Sequence, residues 1–356
     1  MLSRTSDKLL AEIAALDVGN VKLMEVCGTH TMVIAKSGLK TVLPGNIKLL
    51  SGPGCPVCVT PPEVIDAVLD LAMRPGVIVT TYGDMVRVPG SVRGDSLAKR
   101  RAMGAKVEIV YSPMDAIETA KRNPDKEIVF LGVGFETTAP GTAAAVLAAK
   151  ADEVKNFSVW SMLKTVEPAL RALIAEEDFD IQGFICPGHV AAILGEKGFA
   201  FLADEYKIPA VIAPFEPEGI LMSVYRLVKQ IADGTPRLEN EYKRVVRPEG
   251  NPLAEKMLDE AFELRTDIWR GLGKIEKSGF ALRESLSEFD AEKKFGVRIS
   301  AETKPAACRC GKVITGRIAP TLCPMFGTLC TPEDPLGPCM VSSEGACAAA
   351  YKYQVI

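Results

Sequence analysis

Ten cysteines but only two histidines stand in this chain of 356 residues, and the cysteines are unevenly spread. Cys27, Cys55, Cys58 and Cys186 are scattered through the first part, six more crowd between Cys308 and Cys347, and none falls between the two groups. The opening segment MLSRTSDKLLAEIAAL mixes charged and apolar residues at helical spacing and lacks the apolar core of a signal peptide. A cytoplasmic setting is the expectation. There, clustered cysteines bind metal or carry out redox chemistry rather than staple a fold.

Cys55-x-x-Cys58 has the spacing of a redox dithiol or of half a zinc site. It follows the turn Gly52-Pro53-Gly54 and precedes Pro61–Pro62, with no second close Cys or His pair nearby, a placement that favours accessible thiols of low pKa. Cys27 opens the string Cys27-Gly28-Thr29-His30, where an imidazolium or a helix N-terminus would lower its pKa and suit it to be a ligand or a nucleophile. Cys186 begins Cys186-Pro187-Gly188-His189 and is either functional or a small buried hydrophobe. His30, His189 and Glu136 complete the acid–base candidates, although each histidine has a purely structural reading as well.

The tail runs Cys308-x-Cys310-x12-Cys323-x6-Cys330-x8-Cys339-x7-Cys347. Four thiolates hold either zinc or an iron–sulfur cluster. Zinc sites usually show two close pairs, and only Cys308 and Cys310 form one here. Wide spacing suits a cubane cluster, whose iron corners are reached from separate loops.

Other chemistries find little support. Gly132-Val133-Gly134 starts like a dinucleotide fingerprint, but position 137 is Thr and Glu136 occupies the approach to the helix. No GxxxxGK[ST] loop and no GxSxG elbow occurs. With 42 Lys+Arg against 45 Asp+Glu the net charge is -3, so no basic field invites nucleic acid. Charges or Pro break every apolar stretch before it could span a bilayer.

The elements that must position these residues read as alternating strands and helices. Short Val- and Ile-rich runs occur at Val21–Val26, Ile47–Leu50, Val77–Thr80, Val107–Tyr111, Ile128–Leu131, Phe157–Trp160, Ile181–Ile185 and Ala210–Ala213. Amphipathic segments at Glu63–Met73, Met114–Arg122, Thr142–Lys150 and Glu167–Ala175 separate several of them. Such a pattern predicts an α/β fold of two similar, mostly parallel lobes facing a cleft. A Cys-rich C-terminal domain follows, with divisions at 1–125, 126–235 and 236–356. Helices are expected at Gly219–Ala232 and Leu253–Leu264, and no clear periodicity over 265–305. Outside the tail, the chemistry-bearing strings follow strands, where parallel sheets bind ligands.

Taken together, CGTHTM at 27–32, GPGCPVC at 52–58, GFETTAP at 134–140, CPGHV at 186–190, FEPEG at 215–219 and the tail CPMFGTLCTPEDPLGPCMVSSEGACAAAYKY resemble the HypD family of nickel–iron hydrogenase maturation factors. The resemblance covers essentially the whole chain. It implies two related α/β lobes, a third domain bearing a 4Fe–4S cluster, and a scaffold on which iron acquires cyanide and carbon monoxide. The family pattern C-x12-C-x6-C-x16-C falls on Cys310, Cys323, Cys330 and Cys347, leaving Cys308 and Cys339 as extra thiols. By the same resemblance Cys55 and Cys58 are the redox pair and Cys27 is the ligand of the transient iron. Implied partners are a HypC-type chaperone, a HypE-type cyanide donor and, indirectly, the hydrogenase large subunit. The competing class is a cluster-dependent disulfide reductase similar to ferredoxin–thioredoxin reductase. A scaffold needs a ligand-like Cys outside the CxxC, and Cys27 supplies one, which favours an accessory scaffold with redox activity over a stand-alone enzyme.

Overall fold

Apolar runs too short for helices become strands when both faces can be covered. A computed structural model, describing residues 4–297, 299 and 308–353, carries strands on all eight expected runs. They are β1 (Val21–Glu25), β2 (Ile47–Ser51), β3 (Val77–Thr81), β4 (Lys106–Ile109), β5 (Glu127–Gly134), β6 (Phe157–Leu163), β7 (Gly183–Pro187) and β8 (Ala210–Ala213). Every residue of β3, β6, β7 and β8 is buried, which is why these runs are mostly apolar on both faces, with only small hydroxyl residues such as Thr80 and Ser158 between. The intervening helices Pro62–Ala72, Pro113–Arg122, Ala139–Ala151 and Val166–Ile174 each begin or end within three residues of expectation. The start of the tail, at 306–307, lies outside the described residues.

A further short strand, β9 (Leu238–Asn240), completes one parallel sheet in the order β2-β1-β7-β8-β9, and β4-β3-β5-β6 forms the other. The division at residue 125 does not follow this pairing. β1 is paired to β7 through Leu23↔Gly183 and Glu25↔Ile185, so the chain leaves the first lobe after β2, builds the second, and returns. The division at 235 fails for the same reason, since β9 belongs to the first sheet. Register between distant parallel strands depends on how the crossovers pack, which no local pattern records.

The stretch after 252 also departs from expectation. Its helix, Pro252–Ala261, stops where Phe262 opens β10 (Phe262–Trp269), which pairs antiparallel with β11 (Gly273–Leu282). Only the two ends of β10 are buried, and its interior carries Glu263, Arg265 and Asp267, so no apolar periodicity marks it. The hairpin lies against β6 and the segment after it: Thr165 N–H donates to Ser278 O at 3.1 Å, and the Ser161 hydroxyl to Phe280 O at 2.6 Å.

Under this hairpin Lys164 is buried with its side chain 2% exposed, and its ammonium donates to Asp267 Oδ2 at 2.9 Å and to Ile268 O at 2.9 Å. Removing one partner of a buried pair strands the other charge, at a cost of about 3–5 kcal/mol. Asp267→Ala is expected to lose stability on that scale in urea titration, and the double change Lys164→Met with Asp267→Leu to recover most of it. Equal losses in both variants would show that packing, not the stranded charge, sets the cost.

Candidate functional site

Loops at the carboxyl ends of β1, β2, β5 and β7 meet in a cleft of about 150 Å³, lined among others by Cys27, Gly54, Thr137, Thr138, His189 and Glu344. Both lobes and the tail contribute, as the facing-lobe expectation requires. Cys27 stands at the start of the helix Gly28–Ser37 with extended backbone. The backbone N–H groups of His30 and Thr29 favour its thiolate, but burial dominates and pushes the thiol up to about 12. The metal-free thiol is therefore protonated at neutral pH.

The expected help from the His30 imidazole is absent. His30 is fully buried, its Nε2 hydrogen-bonds Pro214 O at 2.9 Å, and burial pushes it down to about 4, so the ring is neutral. It stacks on Phe215 at 4.6 Å and His189 stacks on the same ring at 3.9 Å. His30 thus pins the helix Gly28–Ser37 to the FEPEG loop, and the exposed His189 is the imidazole that lines the cleft. Sequence reasoning missed Glu25, which accepts the Cys27 N–H at 3.1 Å and bonds the Thr31 hydroxyl, and which burial raises to about 7. Its one sequence signal is an acid at the end of a mostly apolar strand, separated by one residue from CGTH.

Two glycines bring the loops together. A Cβ on Gly54 would stand 2.2 Å from the Cys27 nitrogen, and one on Gly28 would stand 2.3 Å from Glu344 Cβ. Glu344 also accepts the Thr29 hydroxyl at 2.8 Å, so the tail is seated directly on the Cys27 turn.

Cys55 and Cys58 are joined as a disulfide, with Cα atoms 5.2 Å apart. Cys55 starts the short helix Pro56–Val59, and Cys58 N–H donates to its sulfur at 3.1 Å. The pair is not accessible as expected: Cys55 is 5% and Cys58 0% exposed, because the tail packs over them. From the hairpin tip, Arg270 donates its N–H to Val59 O at 2.8 Å and Nε to Thr60 O at 3.0 Å.

All six tail cysteines line one small hollow of about 20 Å³, together with Met325, Phe326, Leu336 and Met340. Cys310, Cys323, Cys330 and Cys347 are among them, and so are the extra thiols. Cys310 N–H approaches Cys308 Sγ at 3.4 Å, and Cys347 N–H donates to Cys339 Sγ at 3.2 Å. The hydrogen bond from Cys308 and the nearby Arg270 cation hold the Cys310 thiol below its ordinary value. A Cβ on Gly337 would meet Cys308 Sγ at 2.4 Å, so glycine keeps the hollow open. Among the described residues, no three His, Cys, Asp or Glu gather on a point that would hold a single metal ion.

Two candidates fall elsewhere. Cys186 is 0% exposed within β7 and pushed up by burial, as a core residue is. Glu136 lies beside the cleft loop but lines a different cavity, of about 470 Å³, with Thr165, Leu258, Phe262 and Phe280. Its Oε1 accepts Val166 N–H at 2.9 Å, and burial raises it to about 7.

With this geometry in hand, comparison with known proteins gives a consistent picture. A HypD family model, described as "Hydrogenase formation hypA family", matches residues 4–354. A putative hydrogenase expression/formation protein of Methanocaldococcus jannaschii is 43% identical, over 100% of this chain and 98% of that protein. The hydrogenase maturation factor HypD of Rhodobacter capsulatus is 45% identical over 97% of this chain and 94% of its own. That of Escherichia coli (strain K12) is 44% identical over 94% and 89%.

A carboxyl whose folded pKa is raised binds its proton more tightly when folded. The stabilisation is complete below the ordinary value near 4.5 and is lost as pH rises to about 7. Glu136→Gln is therefore expected to flatten the stability–pH curve in that window by up to about 1.4 kcal/mol per pH unit. Parallel curves for the two proteins, from denaturant titrations at pH 4.5 to 7.5, would reject the buried-acid assignment.

Proposed function

The chain belongs to the HypD family of hydrogenase maturation factors, and on that footing we propose that it is a scaffold. On it, iron acquires cyanide and carbon monoxide for nickel–iron hydrogenase. The observation that carries this reading is the placement of Cys27, a soft donor in a cleft walled by both lobes, with the loop of the Cys55–Cys58 disulfide directly against it. Low-spin iron bearing cyanide and carbon monoxide favours thiolate, and binding the cation displaces the proton that burial otherwise holds on Cys27. The backbone N–H groups of Thr29 and His30 then support the anionic sulfur. His189, exposed at the same cleft, is the group placed to hold or release a proton there.

A HypC-type chaperone would complete the iron's coordination with a cysteine of its own, and a HypE-type protein would deliver cyanide. The product would pass on to the hydrogenase large subunit. Delivery of cyanide from a sulfur carrier needs electrons, which is the work assigned to Cys55 and Cys58. What supports a 4Fe–4S cluster in the tail is its donor set: six thiols ring an apolar space, which would have to widen from about 20 Å³ to admit the group. Cys310, Cys323, Cys330 and Cys347 would hold it, and when bound it would supply single electrons beside the disulfide. The Arg270 cation acts on Cys310 at the edge of that space, and Met325, Phe326, Leu336 and Met340 line it with apolar surface. We place this work in the cytoplasm, since eight cysteines remain free thiols. No helix among the described residues is long and apolar enough to cross a membrane. A reductase acting on a diffusible disulfide fits less well, because Cys55 and Cys58 lie beneath the tail.

Two outcomes test the reading. Cys27→Ala should leave tail iron and the disulfide couple unchanged while abolishing the cyanide and carbon monoxide infrared bands of the complex with a HypC-type partner; bands that persist would move the ligand elsewhere. Cys330→Ala should take anaerobically reconstituted iron well below the roughly four per chain of an intact cluster. Unchanged iron content, or tightly bound zinc in its place, would remove the cluster assignment.

A further inference from the structure

Opening a disulfide consumes two electrons and two protons, and the Cys55–Cys58 pair is buried away from water. Electrons can tunnel through packed protein, whereas protons need a chain of hydrogen-bonding groups. One such chain reaches the pair. Ser342 Oγ lies 3.4 Å from Cys55 Sγ, and its hydroxyl donates to Asp84 Oδ2 at 3.3 Å. Ser342 is 2% exposed, while Asp84, on the 3-10 turn Gly83–Arg87, is only partly covered.

We propose that Asp84 and Ser342 are the proton path to the Cys55–Cys58 couple, an inference that rests on the redox role given to that pair above. The site takes electrons from a one-electron donor acting twice. As they arrive, the Cys55 Sγ–Cys58 Sγ bond breaks and negative charge develops on sulfur in apolar surroundings, where a bare thiolate is costly. Ser342 gives its hydroxyl proton to Cys55 and takes one from Asp84, which draws from solvent. The first proton passes to Cys58 and the second stays on Cys55, so two thiols result. Glu344 N–H donates to Ser342 Oγ at 3.2 Å and fixes the hydroxyl between its partners.

Ser343 gives the relay a separate anchor. Its N–H and hydroxyl both donate to Asp84 Oδ2 at 2.9 Å, so the tail stays attached to Asp84 when the Ser342 hydroxyl is removed. Among the described residues, the other titratable and charged groups on the elements packed around the couple include Glu344 on the tail loop, Arg270 from the hairpin, and Cys310 and Cys339 on the two tail helices packed against Pro56–Val59.

The test is the rate at which dithionite-reduced methyl viologen opens the disulfide in the full chain. It is read by quenched alkylation and mass-spectrometric counting at Cys55 and Cys58, between pH 6 and 9 and in H2O and D2O. Ser342→Ala is expected to slow opening at least tenfold and to remove the solvent isotope effect and the pH dependence of the rate. Ser342→Thr should restore all three, which a merely structural role would not require. Asp84→Asn should slow opening with the Ser342 hydroxyl in place, and circular dichroism checks that each variant is folded. If Ser342→Ala opens at the wild-type rate with the wild-type pH profile, the relay is wrong and the redox role of the pair stands. If the wild-type disulfide never opens, the redox role itself is wrong and the relay goes with it.

Discussion

Where the loop after β2 crosses the loop after β1, a Cβ on Gly54 would stand 2.2 Å from the Cys27 nitrogen, so the two backbones touch only because glycine is there. Gly28 N–H completes the contact by donating to Gly54 O at 3.0 Å. That approach sets the disulfide directly beside the candidate iron ligand. Gly28, having no Cβ, lets Glu344 seat on the Cys27 turn, which brings the tail to the cleft. The CxxC, the ligand thiol and the tail are thus one packed unit rather than three neighbouring motifs.

Burial gives that unit its electrostatic character. Glu25, Cys27 and His30 are each pushed toward their neutral forms by loss of water. A site built this way carries little charge until a cation arrives, and the cation's own field then favours the thiolate. The helix start contributes through backbone N–H groups, which cannot titrate and so act at any pH. His30 serves the same end by packing, since its ring holds the Pro214–Phe215 loop against the helix that begins at Cys27.

The tail is held over the disulfide by two kinds of contact of unequal weight. Rim pairs such as Arg93 with Asp334 and Arg317 with Asp178 are exposed and contribute little each. The apolar seam, in which Cys55, Val57 and Cys58 share one core with Cys339 and Met340, removes far more surface from water. Arg270 joins the two regions, bonding the chain just after the CxxC helix while its charge acts on Cys310. Its reach depends on the hairpin, whose tip passes Gly311 so closely that Gly271 can carry no Cβ there.

Much of this was legible in order of residues alone. The eight strands, the helices between them and the gathering of Cys27, the CxxC and His189 at strand ends follow from apolar run length, Pro at first turns and the rule that parallel sheets present their loops on one side. Those are local properties, and each is written within about ten residues. The interleaving of the lobes was not legible, because β1 meets β7 across more than 150 residues and either neighbour would have satisfied its edge. Nor was the hairpin Phe262–Leu282, whose exposed, charge-bearing first strand hides its period. Both imidazoles stack on Phe215, so the different fates of His30 and His189 turned on which one is buried against the Pro214 carbonyl, and that of Glu136 on the side of its loop toward Val166. The disulfide reads in sequence as an exposed redox motif, yet the tail buries it. By itself the sequence determined which residues could do chemistry and on which elements they stand. Tertiary structure decided which of them meet and which keep their charge, because both depend on water removed by segments far away in the chain.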